Sequence, residues 1–167
     1  MFIRRLDETD YLEYKTIRLE GLMKAPSSFG SSFEEENLFG DDIWKNRLEN
    51  KNAITLGAFV DEKLVGVVTL LLNERIKTKH VADIHAMYVA SSVQNQGIGT
   101  LLINKVISFV AEAEYVRQIK LSVEKLNYKA IRLYEKCGFR VYAEEKQMLW
   151  LDNVYYDFLL MNYYVKR

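Results

Sequence analysis

Residues 93–102 read Val-Gln-Asn-Gln-Gly-Ile-Gly-Thr-Leu-Leu, and their neighbours on either side decide the fold. Upstream, Ile84 to Val89 is β-rich; downstream, Leu101, Leu102, Val106, Phe109 and Val110 recur at helical spacing as far as Ala113. The order is strand, glycine-containing turn, helix. The first N–H groups of a helix lack intrahelical partners and carry roughly half a positive charge, so this order aims backbone amides at an anion. Glycine at 97 and 99 would let a phosphate approach the backbone with no Cβ in the way. Gln94, Asn95, Gln96, Gly97, Ile98, Gly99 and Thr100 therefore read as a pyrophosphate cradle, against the plainer reading of a turn that merely enters a helix. Two familiar phosphate loops do not fit. A P-loop ends in Gly-Lys-Ser/Thr, whereas Gly99 is followed by Thr100 and Leu101. A dinucleotide fingerprint needs a small residue where Leu102 stands and an acid where Arg117 and Gln118 sit.

A second motif lies downstream: Asn127, Ala130, Tyr134 and Gly138-Phe139, within NYKAIRLYEKCGF. With these two motifs in this order the chain resembles the GNAT acyltransferase superfamily, whose signature is Gln/Arg-x-x-Gly-x-Gly/Ala at the end of the fourth strand. The resemblance covers about Ala53 to Tyr164 and, more loosely, the N-terminal third. It implies acetyl-CoA as cosubstrate, with the pyrophosphate on the amides of Gln94 to Thr100. The pantetheine would run beside Met87, Tyr88 and Val89 as an added strand, in a gap opened towards the strand near Ile119 to Val123. Asn127 matches the family's asparagine near the pantetheine.

The 167 residues suit a single domain, 1–167, and with 49% apolar residues a hydrophobic core is well supplied. The 23 basic and 23 acidic residues cancel, which argues against a nucleic-acid partner held by bulk charge. The single cysteine, Cys137, can form no intramolecular disulfide and points to a reducing, cytoplasmic setting. Arg4-Arg5 leads directly into Asp7, Glu8 and Asp10, so neither a signal peptide nor a membrane span is expected. One cysteine and two histidines make no metal cluster.

In chain order, Phe2 to Leu6 is a short strand, and Asp7 to Asp10 caps a helix through about Met23 with Leu12, Ile17, Leu19 and Leu22 on its apolar face. Pro26 to Gly40 is a loop or broken helix whose Phe29, Phe33 and Phe39 either plug the core or line an acceptor pocket, and a short helix follows around Asp42 to Glu49. Ala53 to Val60 and Leu64 to Leu72 form a hairpin; Asn73 to His80 is a loop; Val81 to Val89 feeds the glycine turn. Then come a strand at Ile119 to Val123, a helix at Asn127 to Lys136 ended by Gly138, and a last hairpin, Arg140 to Leu151 with Val154 to Val165, turning at Asp152-Asn153. Tyr163 to Arg167 is a strand with a basic tail. The expected class is α/β (α+β): a mixed, mostly antiparallel sheet flanked by helices.

Tyr134 is the expected catalytic acid. A phenol of pKa about 10 facing a thiol of about 8.5 is only about 2 kcal/mol short of matched, so it can protonate a departing thiolate. The competing reading is an aromatic facing the core. Asp83, fourteen positions before Gly97, is the expected base, since protein-lysine acetylating members of the family carry a glutamate there. A shorter Asp would need a bridging water, and the competing reading of Asp83 is a residue that only begins a strand. His85, on the same strand face, is the alternative base or else a core histidine. Tyr155, Tyr156 and Asp157 are further candidates for the acceptor side, and Cys137 reads as structural. The resemblance implies an N-acetyltransferase moving acetyl from acetyl-CoA to a primary amine by direct attack in a ternary complex, and no activated Cys or Ser is evident for a covalent intermediate. A protein N-terminus as acceptor, or a non-catalytic acyl-CoA-binding domain on the same fold, are the alternatives. Sheet edges and aromatic-rich last strands suggest a homodimer.

Overall fold

In the computed structural model, which describes residues 1–166, β1 (Phe2–Arg5) is followed by α1 (Tyr11–Lys24), α2 (Phe33–Glu36) and α3 (Asp41–Glu49). After them come β2 (Ala53–Val60), β3 (Lys63–Leu72), β4 (Val81–Val89), α4 (Ile98–Glu112), β5 (Gln118–Glu124), α5 (Tyr128–Lys136), β6 (Arg140–Leu151) and β7 (Val154–Tyr164). Arg167, the last residue of the expected basic tail, lies outside the described residues. The seven strands make one sheet in the order β1-β2-β3-β4-β5-β7-β6, antiparallel except for the β4–β5 pair. The two hairpins turn on left-handed pairs, Asp61 with Glu62 and Asp152 with Asn153, the two-residue geometry that matches strand twist.

Two apolar layers cover the sheet. On one face α4 buries Leu102, Ile103, Val106 and Val110 completely against Ile54, Leu56, Val68 and Ile84, with Ile131 and Tyr134 of α5 beside them. Each such aliphatic side chain contributes roughly 1.5–3 kcal/mol of burial. On the other face α1 and α3 bury Tyr14, Ile17, Leu22 and Trp44 against Leu6, Phe59 and Tyr88. The expected face of α1 is shifted: Leu12 is 59% exposed and Leu19 half-buried, whereas Tyr14, Arg18 and Gly21 are inside. The start of that helix also differs, because Asp7 caps a 3-10 turn at Glu8–Asp10 before α1 begins at Tyr11. The Pro26 to Gly40 segment is the expected broken helix, a 3-10 turn at Pro26–Ser28 and then α2. Phe29 is buried in the α1-side core, and Phe33 and Phe39 pack against it.

Two irregularities in β4 position everything that follows. Thr69 pairs with His85 but Val67 pairs with Tyr88, so Val68 faces two residues of β4, a bulge. Ala86 sits in it at φ 52°, a conformation a non-glycine residue holds only where its surroundings enforce it. The second irregularity is the parallel ladder to β5, which runs only from Val81↔Gln118 to Asp83↔Lys120. Beyond Asp83 the two strands part, while β5 stays paired with β7 as far as Glu124.

Candidate active site

The parting of β4 from β5 opens a cavity of about 730 Å³ through the sheet, within the usual range for ligand sites. One end is the glycine turn. Gly97 is the N-cap of α4 at φ 80°, with no side-chain cap, and the first helical bond runs from the Leu101 N–H to the Gly97 carbonyl. The amides of Ile98, Gly99 and Thr100 therefore have no carbonyl within the helix. Asn95 is also left-handed, at φ 64°, and successive handed turns of this kind make an anion-binding nest. Gln94 steadies the turn by donating from Nε2 to the Val89 carbonyl at 3.0 Å.

Of the expected cradle, Gln94, Asn95, Gly97, Ile98, Gly99 and Thr100 line the cavity. Gln96 does not: it sits exposed between two left-handed residues, outside the lining. The two glycines serve different ends. A Cβ on Gly97 would meet nothing within 4 Å, whereas one on Gly99 would lie 2.6 Å from Leu133 Cδ1 and 3.0 Å from Met87 Cε. Gly99 is thus small so that α4 can approach α5 and β4, a packing reason for glycine that the sequence did not show.

Met87, Tyr88 and Val89 line the cavity past the bulge, on a stretch of β4 that β5 has left. The Tyr88 side chain turns to the other face, where its hydroxyl donates to Glu20 Oε1 at 2.9 Å; burial, and then that carboxylate, push the phenol up to about 12. Asn127 accepts from the Ala130 N–H at 3.2 Å, capping α5. Two turns on from Asn127, Tyr134 is 8% exposed and packs edge-on against Phe139. Its hydroxyl donates to the Met87 sulfur at 3.6 Å. Burial, and then the charge of a Cys137 thiolate, push this phenol well above its ordinary value. Tyr134 is accordingly both core and cavity wall.

Asp83 is placed otherwise than expected. It belongs to the last residue pair before the strands part, accepts from Asn73 Nδ2 at 3.2 Å and is absent from the lining. His85, the next residue on that face, is exposed and lines the cavity. The last hairpin reaches the cavity through Met148, Leu149 and Phe158, and not through Tyr155, Tyr156 or Asp157. Tyr155 is 59% exposed. Asp157 is engaged with the β6 bulge, where Oδ1 accepts from the Gln147 N–H at 2.9 Å.

Besides Met148, Leu149 and Phe158, several polar cavity residues escaped the sequence reading, among them Glu124, Ser122 and Arg18. Glu124 ends β5, is 8% exposed and accepts from the Leu126 N–H at 3.0 Å. Ser122 precedes it on the same face. Arg18 projects from α1 to a buried ion pair with Glu36. A charged residue inside the apolar stripe of α1, next to Ile17, was the available signal for Arg18. Among the described residues no group of His, Cys, Asp and Glu is arranged to hold a metal, and no helix is long and apolar enough to cross a membrane.

Comparison with known proteins agrees with this architecture. The L-amino acid N-acetyltransferase AaaT of Escherichia coli is 30% identical over 118 residues, 70% of this chain and 72% of that protein. The structure of yncA from Salmonella typhimurium with its cofactor acetyl-CoA superimposes with a TM-score of 0.87 at 17% identity, covering 100% of this chain and 95% of that one. A ribosomal-protein-alanine N-acetyltransferase from Brucella melitensis superimposes with a TM-score of 0.86 at 23% identity, covering 98% and 99%. The model of the Acetyltransferase (GNAT) family matches residues 18–139. That span runs from Arg18 to Phe139 and takes in the bulged strand, the glycine turn and Tyr134, so the chain belongs to the GNAT family of N-acetyltransferases.

Proposed function

We propose that the protein transfers the acetyl group of acetyl-CoA to a small primary amine by direct attack in a ternary complex. The observation that carries this reading is the Tyr134 hydroxyl, buried at the parted strands and hydrogen-bonded to nothing stronger than a thioether. A thioether is a weak acceptor, so that hydroxyl is free to donate to a better one.

The residues present suit acetyl-CoA. The amides of Ile98 to Thr100 and the Asn95–Gly97 nest would hold the pyrophosphate, the unpaired edge of β4 at Met87 to Val89 would take the pantetheine amides, and Asn127 lies beside that path. The bound thioester supplies an acyl carbon whose C–S bond breaks as the C–N bond to the amine forms. His85 receives the proton that the attacking nitrogen sheds, and Tyr134 gives a proton to the departing sulfur. Once CoA leaves, Tyr134 recovers its proton through solvent. Asp83, two residues behind His85 on the same face, adds negative charge near the cation that His85 becomes. An alkylamine of pKa near 10.4 is mostly protonated at neutral pH, about 4–5 kcal/mol from its nucleophilic form, and an acceptor for its proton is therefore needed. The likeness to an L-amino acid acetyltransferase makes free amino acids the first acceptors to try, ahead of a protein N-terminus.

A cytoplasmic setting accords with the lone Cys137, and the exposed Tyr142, Trp150 and Tyr155 of the last hairpin make a homodimer the expected assembly, which sedimentation reads directly.

Calorimetric titration tests the reading. Acetyl-CoA is expected to bind the wild type and to be lost in Gly97→Glu, which sets a carboxylate where the pyrophosphate should lie. Tyr134→Phe is expected to keep that affinity while kcat falls about 100-fold or more. No acetyl-CoA binding by the wild type overturns the cofactor; binding without turnover of any amine favours the non-catalytic alternative.

A further inference from the structure

Arg18 carries an unbalanced charge at the acceptor end of the cavity. Its Nε donates to Glu36 Oε2 at 3.0 Å and its Nη2 to Oε1 at 2.8 Å. Arg47 donates to the same two oxygens, from Nη1 at 3.0 Å and from Nη2 at 3.4 Å. Two guanidinium groups thus face one carboxylate, and the group keeps one positive charge in excess. The side chain of Arg18 is 9% exposed, and its Nη1 is buried with no hydrogen-bond partner. Its carbon Cζ lies 4.8 Å from the centre of the Phe29 ring. Arg18, Ser28, Phe29 and Ser31 all border the cavity.

The edge of Arg18 that meets Glu36 is the Nε/Nη2 edge. The end-on edge, Nη1 with the second hydrogen of Nη2, remains available as a fork of the geometry that takes a carboxylate in two parallel bonds. An unsatisfied buried donor is costly and rare in native structures; Trp44 Nε1 is another, but it lies in the packed core, whereas Arg18 borders the cavity, where a ligand can complete it. The other ionisable groups of the lining, His85 and Tyr88, Glu124, and Lys129 and Tyr134, come from β4, β5 and α5 respectively. Glu124 accepts a backbone N–H, and no ion pair joins it to Arg18 among the described residues.

We infer that Arg18 is the specificity-determining residue of the acceptor site, taking through its free edge a carboxylate carried by the same molecule that presents the amine. The inference rests on the acetyl-transfer reading and narrows its acceptors to amino acids with a free carboxylate. Nη1 is buried without a protein partner, and an uncharged acceptor end gains nothing by reaching it.

The test uses matched acceptors with the whole wild-type protein and saturating acetyl-CoA: leucine, methionine and phenylalanine, each with its amide and its decarboxylated amine. At least one amino acid is expected to exceed both its amide and its amine in kcat/KM by tenfold or more, about 1.4 kcal/mol. In Arg18→Gln that preference disappears through KM, with the acetyl-CoA affinity unchanged. Arg18→Lys, which keeps the charge and loses the fork, is expected to recover part of it. Calorimetry with acetyl-CoA confirms that both variants are folded. Equal turnover of acid, amide and amine by the wild type overturns the carboxylate contact and leaves acetyl transfer standing. Turnover of none, with acetyl-CoA still bound, defeats the transfer reading and this inference with it.

Discussion

Glu36 is the last of three consecutive glutamates and the only one inside, at 1% exposure. Burial by itself would raise its carboxyl, but the hydrogen bonds from Arg18 and Arg47 outweigh burial and hold it down at about 2, against an ordinary 4.5. A depressed carboxyl adds stability that is fully present above its unfolded value. That stability drains away as pH falls from about 4.5 towards 2, and the difference corresponds to about 3 kcal/mol. Urea unfolding between pH 7 and pH 3 should show this loss in the wild type. Glu36→Gln should be less stable at pH 7 and flatter across the same range, since it has no such proton to take up. A variant whose acid slope matches the wild type would remove Glu36 as the source. None of this was legible in the sequence, where Glu34, Glu35 and Glu36 look alike. Only the placement of α1 against α2 and α3 selects the third.

Secondary elements were the most legible level, and the reasons are local. Periodicity marked α4 because Leu102, Val106 and Val110 repeat on one face, and paired turn residues marked both hairpins. The bulge at Ala86 was not legible, because it carries no glycine to announce it, and the parting of β4 from β5 was expected only through the resemblance, since the ladder's early end is a long-range property. That is why Asp83 looked like a cavity residue and His85 proved to be one. The face of α1 was legible in part: Ile17 and Leu22 are buried as expected, but Leu12 is apolar yet lies outside the contact between helix and sheet. Two predictions belong to this scale. Asn127→Ala removes the cap of α5 and should cost about 1 kcal/mol in thermal or urea unfolding, with Asn127→Asp close to neutral. The two glycines of the turn should respond oppositely. Gly97→Asn, which tolerates the left-handed backbone and meets open space, should leave stability nearly unchanged. Gly99→Ala drives a methyl into Leu133 and Met87 and should destabilise by about 1–3 kcal/mol. Equal losses in unfolding experiments would contradict the division of roles between them.

At the scale of the whole molecule, the sheet is two blocks, β1 to β4 and β5 with β7 and β6, joined along the sheet by a ladder only three residue pairs long. Helix α4 bridges the blocks on one side, packing on β2, β3 and β4 and touching α5. On the other side the Pro26–Ser28 turn reaches across to β5. A molecule lying between β4 and β5 would act as the missing rung of this structure, borrowing hydrogen bonds from one block and wedging against the other. Donor loading would then stiffen the frame before any acceptor arrives, and the reaction would acquire an order of addition from mechanics alone. Hydrogen exchange makes that visible: with acetyl-CoA bound, amides of residues 84–89 and 121–124 should slow together, while those of the β2–β3 hairpin keep their free-state rates.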